Sequence, residues 1–429
     1  MPELTHLPRE LLARVISHVE QSALKHIRQT CRMLAQFATR ELFRVVRLFP
    51  DEESYERVRS ILNDATLRGM ESEDEDCTLT EAFKDAIMEL KQFPNVQSTV
   101  LRFDMNCCVD DDGGEIWRNQ WPQTPSYREE VLRVFFSWLT SLDVPIKELA
   151  VRNLQDRNTQ DEEIRAMKAK VLGSLQSLRL NIVTERYEAS PEEELEFPEP
   201  HEFFAEMPSA WLKPTMGSLE QLTLYCDNYW GFFPKVDLKG IHFPRLKTLA
   251  LGNFGFVQDS QVEWIMSHAA TLTELYLDDC TILYDKAEME VRIREDCPEL
   301  SKHYRSYEKR WHDLFDAFRT GLPLLRHFRM GTTCWSNSGE GMPFEKETQI
   351  NIGLMNDRYM ACYDGYGPSP YMAGPHDPQD YEKAAPECGE EDRNALQLLL
   401  KSIGQSVPDS CIELRRNRPS LDRSSASAQ

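Results

Sequence analysis

Residues 246–251 read Leu246-Lys247-Thr248-Leu249-Ala250-Leu251, and the same L-x-x-L-x-L spelling recurs along the chain. Leu219-Glu220-Gln221-Leu222-Thr223-Leu224 begins 27 residues earlier, and Leu272-Thr273-Glu274-Leu275-Tyr276-Leu277 begins 26 residues later. Upstream, Leu175 to Leu180 and Ile146 to Val151 belong to the same set, and Val96 to Leu101 is a weaker first copy. Leu325 to Met330 follows Leu272 by 53 residues, about two periods. The last two apolar positions of each copy lie two residues apart, so they share one face of an extended strand. Before most copies the apolar spacing turns helical, as in Val131-Leu132-Phe135-Phe136-Leu139, Val262-Ile265-Met266 and Leu314-Phe315-Phe318. One strand and one helix every 26 or so residues cannot bury their own apolar faces, but stacked neighbours can. A non-repeating α/β domain that spells L-x-x-L-x-L by chance is the alternative, and five copies at related spacings weigh against it.

The pattern resembles leucine-rich repeats of an irregular kind. Asn153, Asp227 or Asn228, Asn253 and Asp279 fill the polar turn position, although Asn is not invariant there. The resemblance implies an αβ solenoid, here expected over residues 96–333. Residues 184–202, acidic and Pro-rich, read as a surface loop. Residues 284–312 lengthen one interval. There Tyr304, Tyr307, Trp311, Leu314 and Phe318 fall at helical steps, a spacing more common for core than for a ligand site. Residues 334–412 are turn-rich, with Tyr363, Tyr366 and Tyr371, and then close with a helical pattern from Asp392 to Ile403. This segment is expected to cap the open end of the repeats, leaving 413–429 as a disordered tail.

A different kind of segment precedes the repeats. Leu11, Leu12, Val15, Ile16 and Val19 make an apolar helical face after Pro8, which suits a first helical position. Leu24 and Ile27 mark a second short helix with Ser22 as N-cap, and Cys31, Leu34, Ala38, Leu42 and Phe43 mark a third. Three such helices carry more large apolar residues than they can hide from water. Each one left exposed forgoes roughly 1.5–3 kcal/mol of burial energy. They either pack on the rest of the chain or bind a partner.

Leu7-Pro8, Glu10-Leu11-Leu12, Val15-Ile16, Val19, Leu24, Ile27-Arg28, Cys31-Arg32, Leu34 and Leu42-Phe43-Arg44 together resemble an F-box. That module docks substrate receptors onto the Skp-family adaptor, and through it the cullin, of SCF-type ubiquitin ligases. Ala23 stands where the family often has an acidic residue, and Leu34 where Trp is frequent. The resemblance covers residues 4 to about 48. It implies an F-box over 1–49, followed by a helical transition with the acidic Glu71–Asp76 run over 50–95. It also implies Leu7, Pro8, Leu11, Leu12, Val15, Ile16, Leu24, Ile27, Cys31 and Leu34 as adaptor-facing residues. In texture the chain is similar to the many F-box proteins of filamentous fungi.

Composition narrows the function classes. The chain has 429 residues and a net charge of −22, with a mean hydropathy of −0.52. An acidic surface argues against non-specific nucleic-acid binding. Residues 1–49 hold eight Lys/Arg and four Asp/Glu, so a basic module precedes an acidic body. No apolar run reaches transmembrane length, and the N-terminus does not read as a signal peptide. Eleven scattered cysteines without a C-x-x-C pair suit reduced thiols in cytosol or nucleus.

Catalytic and cofactor motifs are missing. His201-Glu202 lacks the second His of a zinc-protease helix, and Gly339-Glu340-Gly341 lacks the third Gly of a dinucleotide loop. Cys107-Cys108 near Asp110 lacks zinc-ligand spacing. No catalytic residue, metal or cofactor is therefore expected. The sequence reads as a non-catalytic substrate receptor whose repeats hold a target protein. Trp311, Trp335, Tyr363 and Tyr366 are its candidate target-binding residues. The competing reading is a repeat scaffold, unrelated to ubiquitination, whose N-terminal helices cap the solenoid.

Overall fold

In a computed structural model of the chain, every L-x-x-L-x-L copy is a strand, and the copies lie side by side in one mostly parallel sheet. The structure describes residues 8–42, 45–48, 79, 81–92, 96–104, 107–108, 123–184, 198–232, 234–286, 307–332, 350–355, 358–362 and 386–406. Helices α1 (Arg9–Ile16), α2 (Gln21–Ile27) and α3 (Arg32–Leu42) come first, then strand β1 (Val45–Leu48) and helix α4 (Glu81–Glu89). The repeats supply β2 (Ser98–Arg102), α5 (Pro125–Thr140), β3 (Glu148–Gln155), α6 (Glu162–Leu172), β4 (Ser177–Val183), α7 (Pro198–Met207) and β5 (Gln221–Trp230). They continue through β6 (Thr248–Phe256), α8 (Asp259–Met266), β7 (Glu274–Asp278), β8 (Thr281–Lys286), α9 (Trp311–Gly321) and β9 (His327–Thr332). β10 (Asn351–Ile352), β11 (Tyr359–Cys362) and α10 (Gly389–Ser402) complete the described elements. The main path runs β1-β2-β3-β4-β5-β6-β7-β9-β10 and does not close, while β8 pairs with β6 and β11 with β8.

The copies are in register. Ser98, Glu148, Ser177, Gln221, Thr248, Glu274 and His327, the third residue of each, stand opposite one another across the sheet. One backbone device repeats at each step. The second residue's carbonyl accepts two N–H groups from the next copy, as Glu220 does from Lys247 and Thr248, and Lys247 does from Thr273 and Glu274. First, fourth and sixth positions then form continuous buried rows, such as Leu219-Leu246-Leu272 and Leu222-Leu249-Leu275. These rows pack with apolar residues of α5–α9 in a single large core. The other face is lined by smaller or polar side chains, with Ala150, Tyr225, Ala250 and Tyr276 packed beside Ile350.

Polar residues mark bends within β3 and β6 and the end of β7. Asn153, Asn253 and Asp279 adopt left-handed backbone angles, with φ of 56°, 54° and 53°. A short polar side chain tolerates that conformation and can bond locally. Asn253 Nδ2 donates to the Cys226 carbonyl at 2.8 Å, and Asn153 Nδ2 to the Phe103 carbonyl at 2.9 Å, so each turn is tied to the preceding one. Gly252 is required by close approach, because a Cβ there would lie 2.2 Å from the Tyr225 ring.

Three local expectations change. The sheet begins with β1, whose Val45 pairs with Ser98, inside the segment assigned to the N-terminal module. Residues 198–202, expected in a loop, open α7, where prolines in the first turn cost no hydrogen bond. The N-cap position of α2 is Glu20, whose side chain makes no capping hydrogen bond, and Ser22 lies within the helix. The closing helix expected from Asp392 is α10. The acidic run at 71–76 and the tail from 413 lie outside the described residues.

The β5–β6 connection has no helix among its described residues, and His268, from the turn after α8, packs against it. Its Nδ1–H donates to the Trp264 carbonyl at 2.9 Å, and its Nε2 accepts the Phe243 N–H at 3.2 Å. Both bonds form only with a neutral ring. Burial, and then the neighbouring His242, lower its pKa to about 4. The unfolded ring takes up a proton near 6.5. Its stability contribution is therefore full above about pH 6.5 and is lost as pH falls toward 4, by roughly 2–3 kcal/mol. Urea unfolding of wild type and His268→Gln at several pH values should show a shallower decline in the variant across that window.

Candidate functional site

Helices α1 to α3 form a small unit with its own core. Leu12, Ile16, Leu24 and Ala38 are buried together, with Val19, Ile27, Met33, Leu34 and Phe37 packed around them, in a cluster separate from that of the sheet. Helical spacing sorts the apolar residues of α1. Leu12 and Ile16, four apart, point inward and are at most 1% exposed. Leu11 and Val15, also four apart, point outward and are 50% and 44% exposed. Among the described residues five large apolar side chains are exposed, namely Leu11, Val15, Val144, Leu324 and Leu398, and two of the five share this one helix face.

The ten expected adaptor-facing residues therefore divide. Pro8, Leu11, Val15 and Cys31 are exposed, and Ile27 and Leu34 are half-buried. Leu12, Ile16 and Leu24 hold the helices together and are not available to a partner in this packing. Leu7 lies outside the described residues. Exposed Arg14, Lys25 and Arg28 place positive charge on the unit, beside the exposed carboxylate of Glu20.

The expected target-binding residues fare differently. Trp311 opens α9 and is fully buried. Its ring stacks on Phe315 at 5.6 Å, meets Phe256 edge-on, and its Nε1–H donates to the Arg358 carbonyl at 3.0 Å. Trp311 is a core residue, as are Tyr307, Leu314 and Phe318 of the same stripe, while Tyr304 lies outside the described residues. Trp335, Tyr363 and Tyr366 lie outside the described residues.

Beside Trp311 the structure assembles a polar cluster around Asp392, which has no exposed surface. Asp392 Oδ1 accepts the His312 backbone N–H and His312 Nδ1–H, both at 3.0 Å. Its Oδ2 accepts Arg358 Nε–H at 2.9 Å, and the Tyr359 hydroxyl lies 2.9–3.0 Å from both oxygens. Cys388 Sγ is 3.3 Å from the Tyr359 hydroxyl and 3.7 Å from Asp392 Oδ2. Cys388 is the N-cap of α10, so it and Asp392 occupy one helix face at i, i+4. Burial is the main cause that raises the Cys388 thiol pKa, and burial likewise pushes the Tyr359 phenol up. Cys388 Sγ hydrogen-bonds with the phenol, the carboxylate and the Pro386 carbonyl. Sequence reasoning missed this cluster because His312 and Asp392 are 80 residues apart. The i, i+4 pair of Cys and Asp is its one local signal.

A cavity of about 460 Å³ between α5, α7 and residues 154–160 is lined by Phe103, Arg128, Glu129, Asn158, Glu199 and Phe203, among others. Its walls carry four carboxylates, Glu129, Glu199, Glu202 and Glu206, against the two guanidinium groups of Arg128 and Arg157. Arg157 pairs with Glu199 at 3.2 Å, and Arg128 donates to the Asn153 and Asp104 carbonyls. Comparison of the sequence with protein-family models and with curated proteins gives no match.

The split along α1 predicts opposite outcomes for adjacent residues. Leu11→Asp and Val15→Asp should change stability by no more than about 0.5 kcal/mol, as exposed substitutions do. Leu12→Asp or Ile16→Asp should unfold the three helices, which circular dichroism of the full chain would detect as lost helix. Asp392→Ala leaves Arg358 uncompensated and should cost about 3–5 kcal/mol in urea unfolding.

Proposed function

We propose that this chain is a substrate-recognition subunit of an SCF-type cullin–RING ubiquitin ligase, docking on the Skp-family adaptor through an F-box. The observation that carries this reading is the outward strip of Pro8, Leu11 and Val15 on a helical unit that packs by itself. Leu11 and Val15 are already about half covered, so burying the remainder against a partner would recover roughly 0.7–1.5 kcal/mol each. The basic surroundings suit an acidic docking partner and would speed encounter at moderate salt. In this reading the sheet and helices are an irregular leucine-rich-repeat-like solenoid. Its regular register and left-handed Asn and Asp turns support that description. α10 with residues 350–355 and 358–362 acts as its cap, and the repeats hold a target protein.

Such a protein performs no chemistry itself. It places a target near the ubiquitin-conjugating enzyme, so that a bimolecular encounter becomes effectively intramolecular. The expected location is cytosol or nucleus. Among the described residues no helix is long and apolar enough to cross a membrane. The scaffold reading, with the N-terminal helices as a cap, is less favoured. β1, rather than any helix, terminates the sheet at that end, and the helical core is separate from the sheet's core.

The test is co-elution of full-length protein with a Skp-family adaptor on a sizing column. Wild type should shift into a complex, and the Leu11→Asp/Val15→Asp double variant should lose at least about a hundredfold in affinity while keeping its melting temperature. Separate elution of wild type and adaptor would overturn the proposal.

A further inference from the structure

We propose that His312, Cys388 and Asp392 form a binding site for Zn²⁺ that staples α10 to the start of α9. The proposal is independent of the adaptor reading. The donor atoms of the three residues lie within 4.8 Å of one another. Tetrahedral zinc with ordinary bond lengths needs N···O of about 3.3 Å and S···O of about 3.5 Å. His312 Nδ1 is 3.0 Å from Asp392 Oδ1 and Cys388 Sγ is 3.7 Å from the other oxygen, Oδ2, so seating the ion requires the carboxylate to turn and the imidazole and thiol to draw together.

The surroundings suit a metal. Arg358 Nε and the Tyr359 hydroxyl already hold the carboxylate, which is how ligating carboxylates are commonly oriented. Trp311 N–H in turn donates to the Tyr359 hydroxyl at 2.8 Å. His312 and Cys388 are only partly buried, which leaves a route from solvent. Thiolate, imidazole and carboxylate together favour zinc over magnesium or calcium. Three protein donors leave a fourth position for water.

Binding would release the Cys388 thiol proton to solvent. The imidazole would stay neutral, with its proton on Nε2, which faces Asp313 Oδ2 at 3.8 Å. The ion's two positive charges would be met by one thiolate and one carboxylate, leaving the charge of Arg358 in place.

The experiment uses the full chain, stripped with a chelator and then refilled with Zn²⁺ or Co²⁺. One Zn²⁺ per chain should survive dialysis and raise the melting temperature. Co²⁺ should give a thiolate-to-metal charge-transfer band. Cys388→Ser should abolish that band, and both Cys388→Ser and His312→Gln should weaken Zn²⁺ binding by about a hundredfold or more. Wild type without a charge-transfer band in Co²⁺ would overturn the site whether or not the variants fold. Equal zinc retention by wild type and Cys388→Ser would do the same, because the ion would then be bound elsewhere.

Discussion

The structure depends on one repeated backbone contact. The carbonyl at the second position of each L-x-x-L-x-L copy accepts two N–H groups from the next copy. Lys147 accepts from Gln176 and Ser177, Gln176 from Glu220 and Gln221, and Thr273 from Arg326 and His327. That contact sets the register, and register matters because a one-residue slip would turn each buried leucine to the opposite face. With it in place, the apolar positions stack into rows under the helices, and the turns at Asn153, Asn253 and Asp279 fall into line.

The ends of such a sheet need separate solutions, since an open edge presents unpaired backbone groups. At one end the chain folds β1 directly after α3, so the N-terminal helices are joined to the sheet through its terminal strand. At the other, the short β10 pairs with the end of β9, and Gln405 takes a strand's place at the start of β9. Its side-chain amide accepts the Phe328 N–H at 3.1 Å and donates to the Phe328 carbonyl at 2.9 Å. α10 packs on α9 in the same region, with Leu396, Leu399 and Leu400 joining the main core. The Asp392 cluster lies at this junction and ties α10, α9 and β11 together with directed bonds.

Function, in the reading favoured above, resides in what this architecture leaves outside. The three N-terminal helices bury Leu12, Ile16 and Leu24 among themselves and leave Leu11 and Val15 facing water. A unit that satisfies its own core and still exposes an apolar strip is suited to a partner. The same logic removes Trp311 from consideration as a contact residue, because its ring and its N–H are both satisfied inside the chain.

The sequence by itself determined the seven strands of the repeat copies, most of the helices and three of the polar turns. Each is written in local spacing: period two within a copy, helical steps between copies, and short polar side chains where the backbone turns left-handed. By contrast, β1, β8, β10 and β11 carry no copy of the repeat, and Asp227 and Asn228 are not left-handed. The sequence also showed that α1 carries an apolar face with more large residues than three short helices can hide. Only the tertiary structure decided which side faces inward, because Leu11-Leu12 and Val15-Ile16 are chemically alike and packing against Leu24 and Ala38 selects between them. Only the tertiary structure brought His312, Arg358, Tyr359, Cys388 and Asp392 together. Their meeting depends on where α9, β11 and α10 dock, and no periodicity within any one of those elements encodes it.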